Sequence, residues 1–484
     1  MKTIKYVCYM LFVTCYLVFT LSACFSPLGG HDEIGVTVSL GSGQGRFTAS
    51  DYDRRVIEVT TPGGVQTIEL SPGQHAITIS GRPGTWHIEV KYYDPILNLP
   101  AAGVIMRNIN VQMGPPITIE PTMEEFDDIP ISNEADLRRI AEVQDRPNVL
   151  NRNYYLTRNI TLSSAPWTPI GRDSPATARF IGTFDGNGHT ISGLTINRDQ
   201  SHQGMFGVIG NDGEVKNLGL INVNLNVFEG DDVIASLGGV VGVNRGTVQY
   251  CYVTGNVSGR QAVGGVVGNN WNIVEKCYST ATVRGFNSAG GVVGNNLGIV
   301  RHSYSTGIIE GNSTSRAAIG GVVGDNSGIG TRSGTVQYCY STAIVNGNQQ
   351  IGGVVGDQLY ISTTPNGTVQ NSVALNASII RFTLTTASFG RVAGENAGTI
   401  NNNYARSDML FYPSPTAAGT TSFPTDDAII NGQNISVAQY HNASWWTTAA
   451  NWDGGAWDET IWDIAQGRLP RLRGVGGNQN PRVN

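Results

Sequence analysis

Between Gly238 and Gly398 the chain repeats one short phrase. It reads Gly238-Gly-Val-Val-Gly-Val-Asn, Gly264-Gly-Val-Val-Gly-Asn-Asn, Gly290-Gly-Val-Val-Gly-Asn-Asn, Gly320-Gly-Val-Val-Gly-Asp-Asn and Gly352-Gly-Val-Val-Gly-Asp-Gln. A worn copy begins at Phe389 and an earlier one at Phe206. Adjacent copies come as close as 26 residues. A period this short makes each repeat one supersecondary unit, which buries its apolar face only by stacking on the next. Each period holds three short β-branched or aromatic runs, such as Val240-Val241, Val248 to Tyr252 and Val257, separated by Gly, Asn or Ser. A helix has no room here, a propeller blade needs more residues, and the spacing of a leucine-rich repeat is missing. The expected fold class is all-β: a parallel β-helix of about ten coils, three strands per coil, with equivalent residues stacked at about 4.8 Å.

Stacking turns matched letters into columns. Asp212, Asn244, Asn270, Asn296, Asn326, Gln358 and Asn396 form one, and side-chain amides at strand spacing can hydrogen-bond along such a ladder. A glycine column at 242, 268, 294, 324, 356 and 394 calls for small volume or a positive φ. Cys251, Cys277 and Cys339 share a column with Ser303, Ser372 and Asn403, which suggests a tight interior corner. Adjacent coils bring Cys251 and Cys277 within disulfide range, but side-by-side side chains and the odd Cys339 favour buried free thiols.

These units, Gly-Gly-Val-Val-Gly-x-Asn followed by Cys/Ser-Tyr-Ser-Thr and Val-x-Gly, resemble the repeats of GLUG-motif proteins. So does Phe180-Ile-Gly-Thr-Phe-Asp-Gly-Asn-Gly-His-Thr-Ile. The resemblance covers roughly residues 130–475. It implies a right-handed parallel β-helix in a bacterial surface or secreted protein, adhesins and some peptidases among them, with the repeats as scaffold.

The N-terminus, basic at Lys2 and Lys5 and then apolar to Leu21, reads as a signal peptide over residues 1–23. Its end, Leu21-Ser22-Ala23-Cys24, resembles a bacterial lipobox. That resemblance implies cleavage before Cys24 and acylation of it, followed by a tether over 24–33. Anchorage would be through N-terminal acyl chains on the outer membrane or cell surface, since several chains hold a protein without a transmembrane helix. A plain signal peptide is the alternative. Removing residues 1–23 takes away two lysines and no acid, so the net charge moves from −6 to −8, 29 basic against 37 acidic residues. No basic tract survives, so nucleic acid is not an expected partner.

Residues 34–123 differ in kind. Val36-Thr-Val-Ser-Leu, Val56-Ile-Glu-Val-Thr, Trp86-His-Ile-Glu-Val and similar runs alternate with a period of two, with turns at Pro62-Gly63 and Pro83-Gly84. They predict a small antiparallel β-sandwich of about seven strands. Its Gly84-Thr-Trp-His-Ile-Glu-Val pattern is similar to immunoglobulin- or prealbumin-like modules of surface lipoproteins, which implies a spacer with Trp86 in its core. A linker over 124–135 follows. Ser132 or Asn133 then caps an amphipathic helix that covers the open end of the β-helix. The coils span 136–406. Five of the eight tryptophans fall in 407–473, predicting a cap on the far end; a carbohydrate platform with Asp453 and Asp458 is the sharper reading. Residues 474–484 are expected to be disordered.

Motifs for chemistry are scarce. None of the seven histidines opens a His-Glu-x-x-His zinc motif, and neither a Gly-x-Ser-x-Gly elbow nor a P-loop occurs. No metal or cofactor is expected. The weak catalytic candidates are Asp325, Asp357 and Glu395, one column of three carboxylates that would repel, raise one another's pKa or recruit a cation. Insertions at Ile329-Gly-Thr-Arg-Ser and Leu359-Tyr-Ile-Ser-Thr-Thr-Pro-Asn fall on one corner, where Trp271 and Leu297 follow the asparagine column. Insertions on one face often mark a binding face, so Trp271, Leu297 and Tyr360 are the ligand-binding candidates. Trp271 and Leu297 could equally tuck under the neighbouring loop. Together these features predict a monomeric, lipid-anchored surface protein that binds a glycan or a host or surface protein without catalysis. A polysaccharide lyase or hydrolase built on the acidic column is the alternative, and a purely structural envelope protein a further one.

Overall fold

A computed structural model of the chain describes residues 34–39, 54–70, 74, 76–93, 96–112, 117–119, 124–125, 128–197, 200–227, 236–311, 313, 317–358, 367–382, 388–424 and 428–482. The expected signal peptide, Cys24, its tether and Tyr360 lie outside the described residues. The chain divides into two units, residues 1–126 and 127–484.

In the first unit the period-two runs become β1 (Ile34–Ser39), β2 (Arg54–Thr61), β3 (Gly64–Leu70), β4 (Ala76–Gly81), β5 (Gly84–Tyr93), β6 (Pro100–Val111), β7 (Ile117–Ile119) and β8 (Glu124–Glu125). They make a three-stranded sheet, β4-β1-β7, and a five-stranded sheet, β3-β2-β5-β6-β8. Alternation puts Val36, Val38, Ile57, Val59, Trp86, Ile88 and Val90 into one core. Trp86 is fully buried and donates its indole N–H to the Arg82 carbonyl at 2.8 Å, so it is a core residue. The sandwich is not wholly antiparallel, because β7 runs parallel to β1.

The second unit is a parallel β-helix. Its walls are a ten-stranded sheet, two six-stranded sheets and a sixteen-stranded sheet. One coil carries five short strands, Ala262–Gly264, Val267–Asn270, Ile273–Glu275, Tyr278–Ser279 and Thr282–Gly285, where three were expected. The Gly264-Gly265 pair falls at one of the extra breaks. A Cβ on Gly268 would lie 2.6 Å from both the Gly242 carbonyl oxygen and the Leu237 amide nitrogen. None of the glycines in that column has positive φ, so small volume alone selects them. Matched letters do sit over one another: Val241, Val267, Val293, Val323 and Val355 are in register from coil to coil and fully buried.

Positive φ occurs at a different column. Tyr250, Lys276, His302, Tyr338, Asn371 and Asn402 have φ of 53, 52, 49, 52, 51 and 51°. Left-handed backbone at a residue with a Cβ costs about 1–2 kcal/mol, and asparagine tolerates it best. Contacts along the column offset that cost. Lys276 Nζ donates to Tyr250 Oη at 2.8 Å, and the His302 and Tyr338 rings stack with centroids 5.3 Å apart. The next residues, Cys251, Cys277 and Cys339, are free, buried thiols, and burial pushes the Cys339 thiol up to about 12.

At the ladder, Asn244 Nδ2 donates to Asn270 Oδ1, Asn270 to Asn296 and Asn296 to Asn326, each at 2.8 Å. Asn326 reaches Gln358 Oε1 at 3.5 Å. The four asparagines from Asn244 to Asn326 have no exposed surface. Their remaining groups hold the corner backbone, as where Asn270 Nδ2 also reaches the Asn272 carbonyl and its Oδ1 the Asn272 amide. Asn396 is half-buried and accepts from the Gly398 amide.

Residues 128–131, expected within the linker, form the outermost strand of the ten-stranded wall and pair with Asn153–Leu156. Asn133 caps the following helix, α1 (Glu134–Glu142), by accepting from the Asp136 amide. Leu137 and Ile140 of α1 are fully buried, and its Arg138 donates to the carbonyls of Ala165 and Pro166.

The far end corrects two expectations. Phe389 and Phe411, in strands of the last coils, and Phe423 form a run of aromatic rings there, with centroids 5.2 and 5.6 Å apart. The tryptophan-rich segment does not cap that end; it runs back along one side. Tyr252, Tyr278, Tyr304 and Tyr340 stack outside the coils with centroids 4.8–5.0 Å apart and planes within 4°. Trp445, Trp446, Trp452, Trp457 and Trp462 pack on that stack, each at most 7% exposed, which removes them as an open carbohydrate platform. Hydroxyls record the reversal: Tyr404 donates to the Asn451 carbonyl, Tyr340 to that of Pro470 and Tyr278 to that of Gly476. Residues 474–482 are therefore ordered by the tyrosine stack, with Gln479 accepting from both the Leu472 amide and the Tyr304 hydroxyl.

Two outcomes follow for stability. Asn270→Ala removes a ladder bond from each of Asn244 and Asn296, which keep the Ile273 carbonyl and the Gly298 amide, and takes the side-chain acceptor from the Asn272 amide, at about 1 kcal/mol per lost bond. Its urea midpoint is expected to drop sharply, whereas Asn396→Ala, at the half-buried end of the column, should change little. The second concerns His302, whose Nδ1 accepts from the Trp462 indole at 3.4 Å. Burial first, then Arg301, hold its pKa down at about 4 against an ordinary 6.5. The folded ring is neutral where the unfolded one takes a proton. Stability is therefore full above pH 6.5 and falls as the pH drops towards 4, at about 1.4 kcal/mol per unit. Denaturation between pH 7 and 4 should show this loss, and His302→Asn, which also suits the left-handed backbone, should flatten it.

Candidate functional site

Each coil turns a corner just after the ladder. Arg245 follows Asn244 and Trp271 follows Asn270. Their backbones are fixed by the coil before, with the Arg245 amide donating to the Ile209 carbonyl and that of Trp271 to Asn244. Leu297 holds the same position one coil on, but it is only 7% exposed and offers no surface. Trp271 is half-buried.

The insertion after Asn326 shapes this corner. It folds as a two-stranded hairpin, Gly328–Ile329 against Arg332–Ser333, with Gly330 at φ 63° in the turn. The hairpin reaches back two coils, past the one bearing Leu297, and Arg332 Nη1 donates to the Trp271 carbonyl at 2.7 Å. Two guanidiniums thus lie by one indole, with Arg245 Cζ 5.0 Å and Arg332 Cζ 6.0 Å from the ring centroid. Each such contact contributes about 0.5–1 kcal/mol where exposed.

Between them is a small open cavity of about 150 Å³, lined by Asn211, Arg245, Trp271, Asn272 and Arg332. Its electrostatics are one-sided. Asp173 pairs with Arg179 at 2.8 Å and only distantly with Arg245, at 3.8 Å. Burial, and next Arg179, lower the pKa of Arg245, with Arg332 adding to the repulsion and Asp173 opposing it. Nε of Arg245 is buried and has no hydrogen-bond partner among the described residues. Beside it His202 is also held below its ordinary pKa, first by burial. Chemically, the corner presents fixed positive charge, two carboxamides and part of an indole surface. It can bind and orient an anionic group.

The acidic column is a different place. Asp325 and Asp357 are in register, and the Gln358 amide donates to the Glu395 carbonyl in the next coil. Asp357, however, has no exposed surface, Asp325 accepts a short hydrogen bond from Ser327 Oγ, and Glu395 accepts from Gln350 Nε2 at 2.7 Å. These three carboxylates form no open lateral cluster on which a polysaccharide could lie. Among the described residues no group of three or more His, Cys, Asp or Glu is placed to hold a metal ion.

Sequence reasoning reached Trp271 and the 329–333 insertion separately, and the structure joins them. It did not reach Arg179, Asn211 or Asn272, which come from the first coils and the turn itself. The available signal was an arginine both directly after the ladder and in the insertion, in a chain with only 14% charged residues.

The description of the GLUG motif matches residues 259–284, which is one coil of the repeat. Over 276 residues, half of this chain, it is 28% identical to a halomucin of Haloquadratum walsbyi. A Gly-rich membrane protein of Evansella cellulosilytica is 34% identical over 117 residues, 22% of this chain. The matched stretches span only 3% and 13% of those two proteins. Among solved structures an IgA1 protease aligns with a TM-score of 0.45 at 13% identity, over 90% of this chain and 33% of that one. The chain is a β-helix protein that contains a GLUG motif.

Proposed function

We propose that this protein is a lipid-anchored, cell-surface β-helix that binds a glycan or protein ligand without catalysis, through the corner at Trp271. The observation that carries the reading is the cavity between Arg245, Trp271 and Arg332, closed by an insertion that reaches across two coils. An exposed aromatic edge held between guanidiniums is what binding surfaces concentrate. Support for the location comes from the Leu21-Ser22-Ala23-Cys24 sequence, and from one relative's description as a membrane protein. In this reading Cys24 carries the acyl chains and the immunoglobulin- or prealbumin-like sandwich is a spacer.

Two experiments test it. Metabolic labelling with a palmitate analogue should mark the chain, and Cys24→Ala should abolish the mark; labelling that survives the substitution removes the anchor. On an array of glycans and surface or matrix proteins, the full chain should retain at least one ligand, with the signal at least tenfold lower for Trp271→Ala. Equal signals for the two proteins would eliminate this corner as the binding face.

A further inference from the structure

Resting on that reading of the corner, we infer that the cavity is a subsite for a single carboxylated sugar residue, a hexuronate unit within an acidic glycan. Charge is the first argument. Arg179 and Arg332 both repel Arg245, and the carboxylate that opposes them, Asp173, already pairs with Arg179. Like charges held together in a partly desolvated place repel, and an anion entering between them relieves the repulsion. Arg245 retains a buried donor that no described residue satisfies. Arg332 commits one Nη to the Trp271 carbonyl, which fixes the plane of its guanidinium. A planar fork so fixed suits a carboxylate, which accepts two parallel N–H bonds.

The rest of the lining decides which carboxylate. Asn211 and Asn272 each bring both a donor and an acceptor, the complement of adjacent hydroxyls, which also donate and accept. Trp271 adds a small apolar edge for a sugar C–H group. A simple inorganic anion would use the guanidiniums and leave the amides and indole idle. An acidic peptide would offer Asn211 and Asn272 its backbone amides, but it has neither a hydroxyl pair nor a C–H ring face. A uronate uses every group in the wall, and the cavity of about 150 Å³ leaves room for one ring and not for two side by side.

The test titrates the full chain with trigalacturonate and with the same trisaccharide as its methyl ester, by calorimetry at low salt. The acid should bind and the ester should bind at least tenfold more weakly, with affinity for the acid falling as salt rises. Arg332→Gln, on the hairpin outside the core, should weaken the acid at least tenfold. Arg284→Gln, a surface arginine paired with Glu310, should not. Equal binding of acid and ester, or full affinity in Arg332→Gln, overturns the inference. So does oligoglutamate or sulfate binding as tightly as the uronate, since each would mean a site that reads charge alone. If uronate fails while a Trp271-dependent array ligand remains, the sugar assignment falls and the binding corner stands. If neither binds, both fall.

Discussion

The constraint on which everything else depends is the in-register repetition of identical residues at strand spacing. A polar side chain placed inside such a stack meets a copy of itself above and below. Asparagine is one of few residues that gain from this, because its amide is both donor and acceptor and each copy satisfies the next. A carboxylate in that place would face only acceptors, and a leucine would leave the corner amides unbonded. The buried chain of bonds from Asn244 to Asn326 thus fixes the register between coils as well as stabilising it. A slip of one residue in any wall would break every rung at once.

How much of this could be read beforehand depended on whether a residue type carried its own reason. The period, the glycines and the asparagines were legible because each has a narrow physical use. The left-handed column was not, because Tyr250, Lys276, His302 and Tyr338 are poor candidates for φ near 50°. The asparagines at 217, 371 and 402 were its local trace. There the tertiary contact between neighbouring side chains overrides residue preference. The five strands per coil were likewise hidden, since the Gly-Gly pairs that split one apolar run into two read as a single valine-rich segment. Leu297 shares its column with Trp271 but not its exposure, which an alignment of repeats cannot show.

The tryptophans illustrate a subtler limit. Their clustering near the C-terminus correctly signalled burial, but sequence position suggested the wrong surface. The deciding residues were far away, in the repeated Tyr of Cys/Ser-Tyr-Ser-Thr. A tyrosine in each of four successive coils makes a column of flat rings, stacked within 4° of parallel, that no single coil can cover. Its area matches a segment laid lengthwise, not one placed over an end. Each Tyr hydroxyl then needs a partner at a different height, and the carbonyls of Asn451, Pro470 and Gly476 supply them in descending order. Direction and register of the returning segment follow from that requirement.

Repetition also explains where a binding site can arise. A perfect stack offers the same side chain at every coil, so its walls present stripes and no pocket. A concave site needs the repeat broken in two places that meet. Here the break at the ladder-following position, Arg245 and then Trp271, meets the break made by the hairpin at Arg332, inserted two coils later. The rigid coils hold one half and the insertion brings the other. Because the insertion adds residues only outside the stack, it leaves the valine and asparagine columns in register. Changing the hairpin can therefore reshape the corner while the fold beneath it stays as it is.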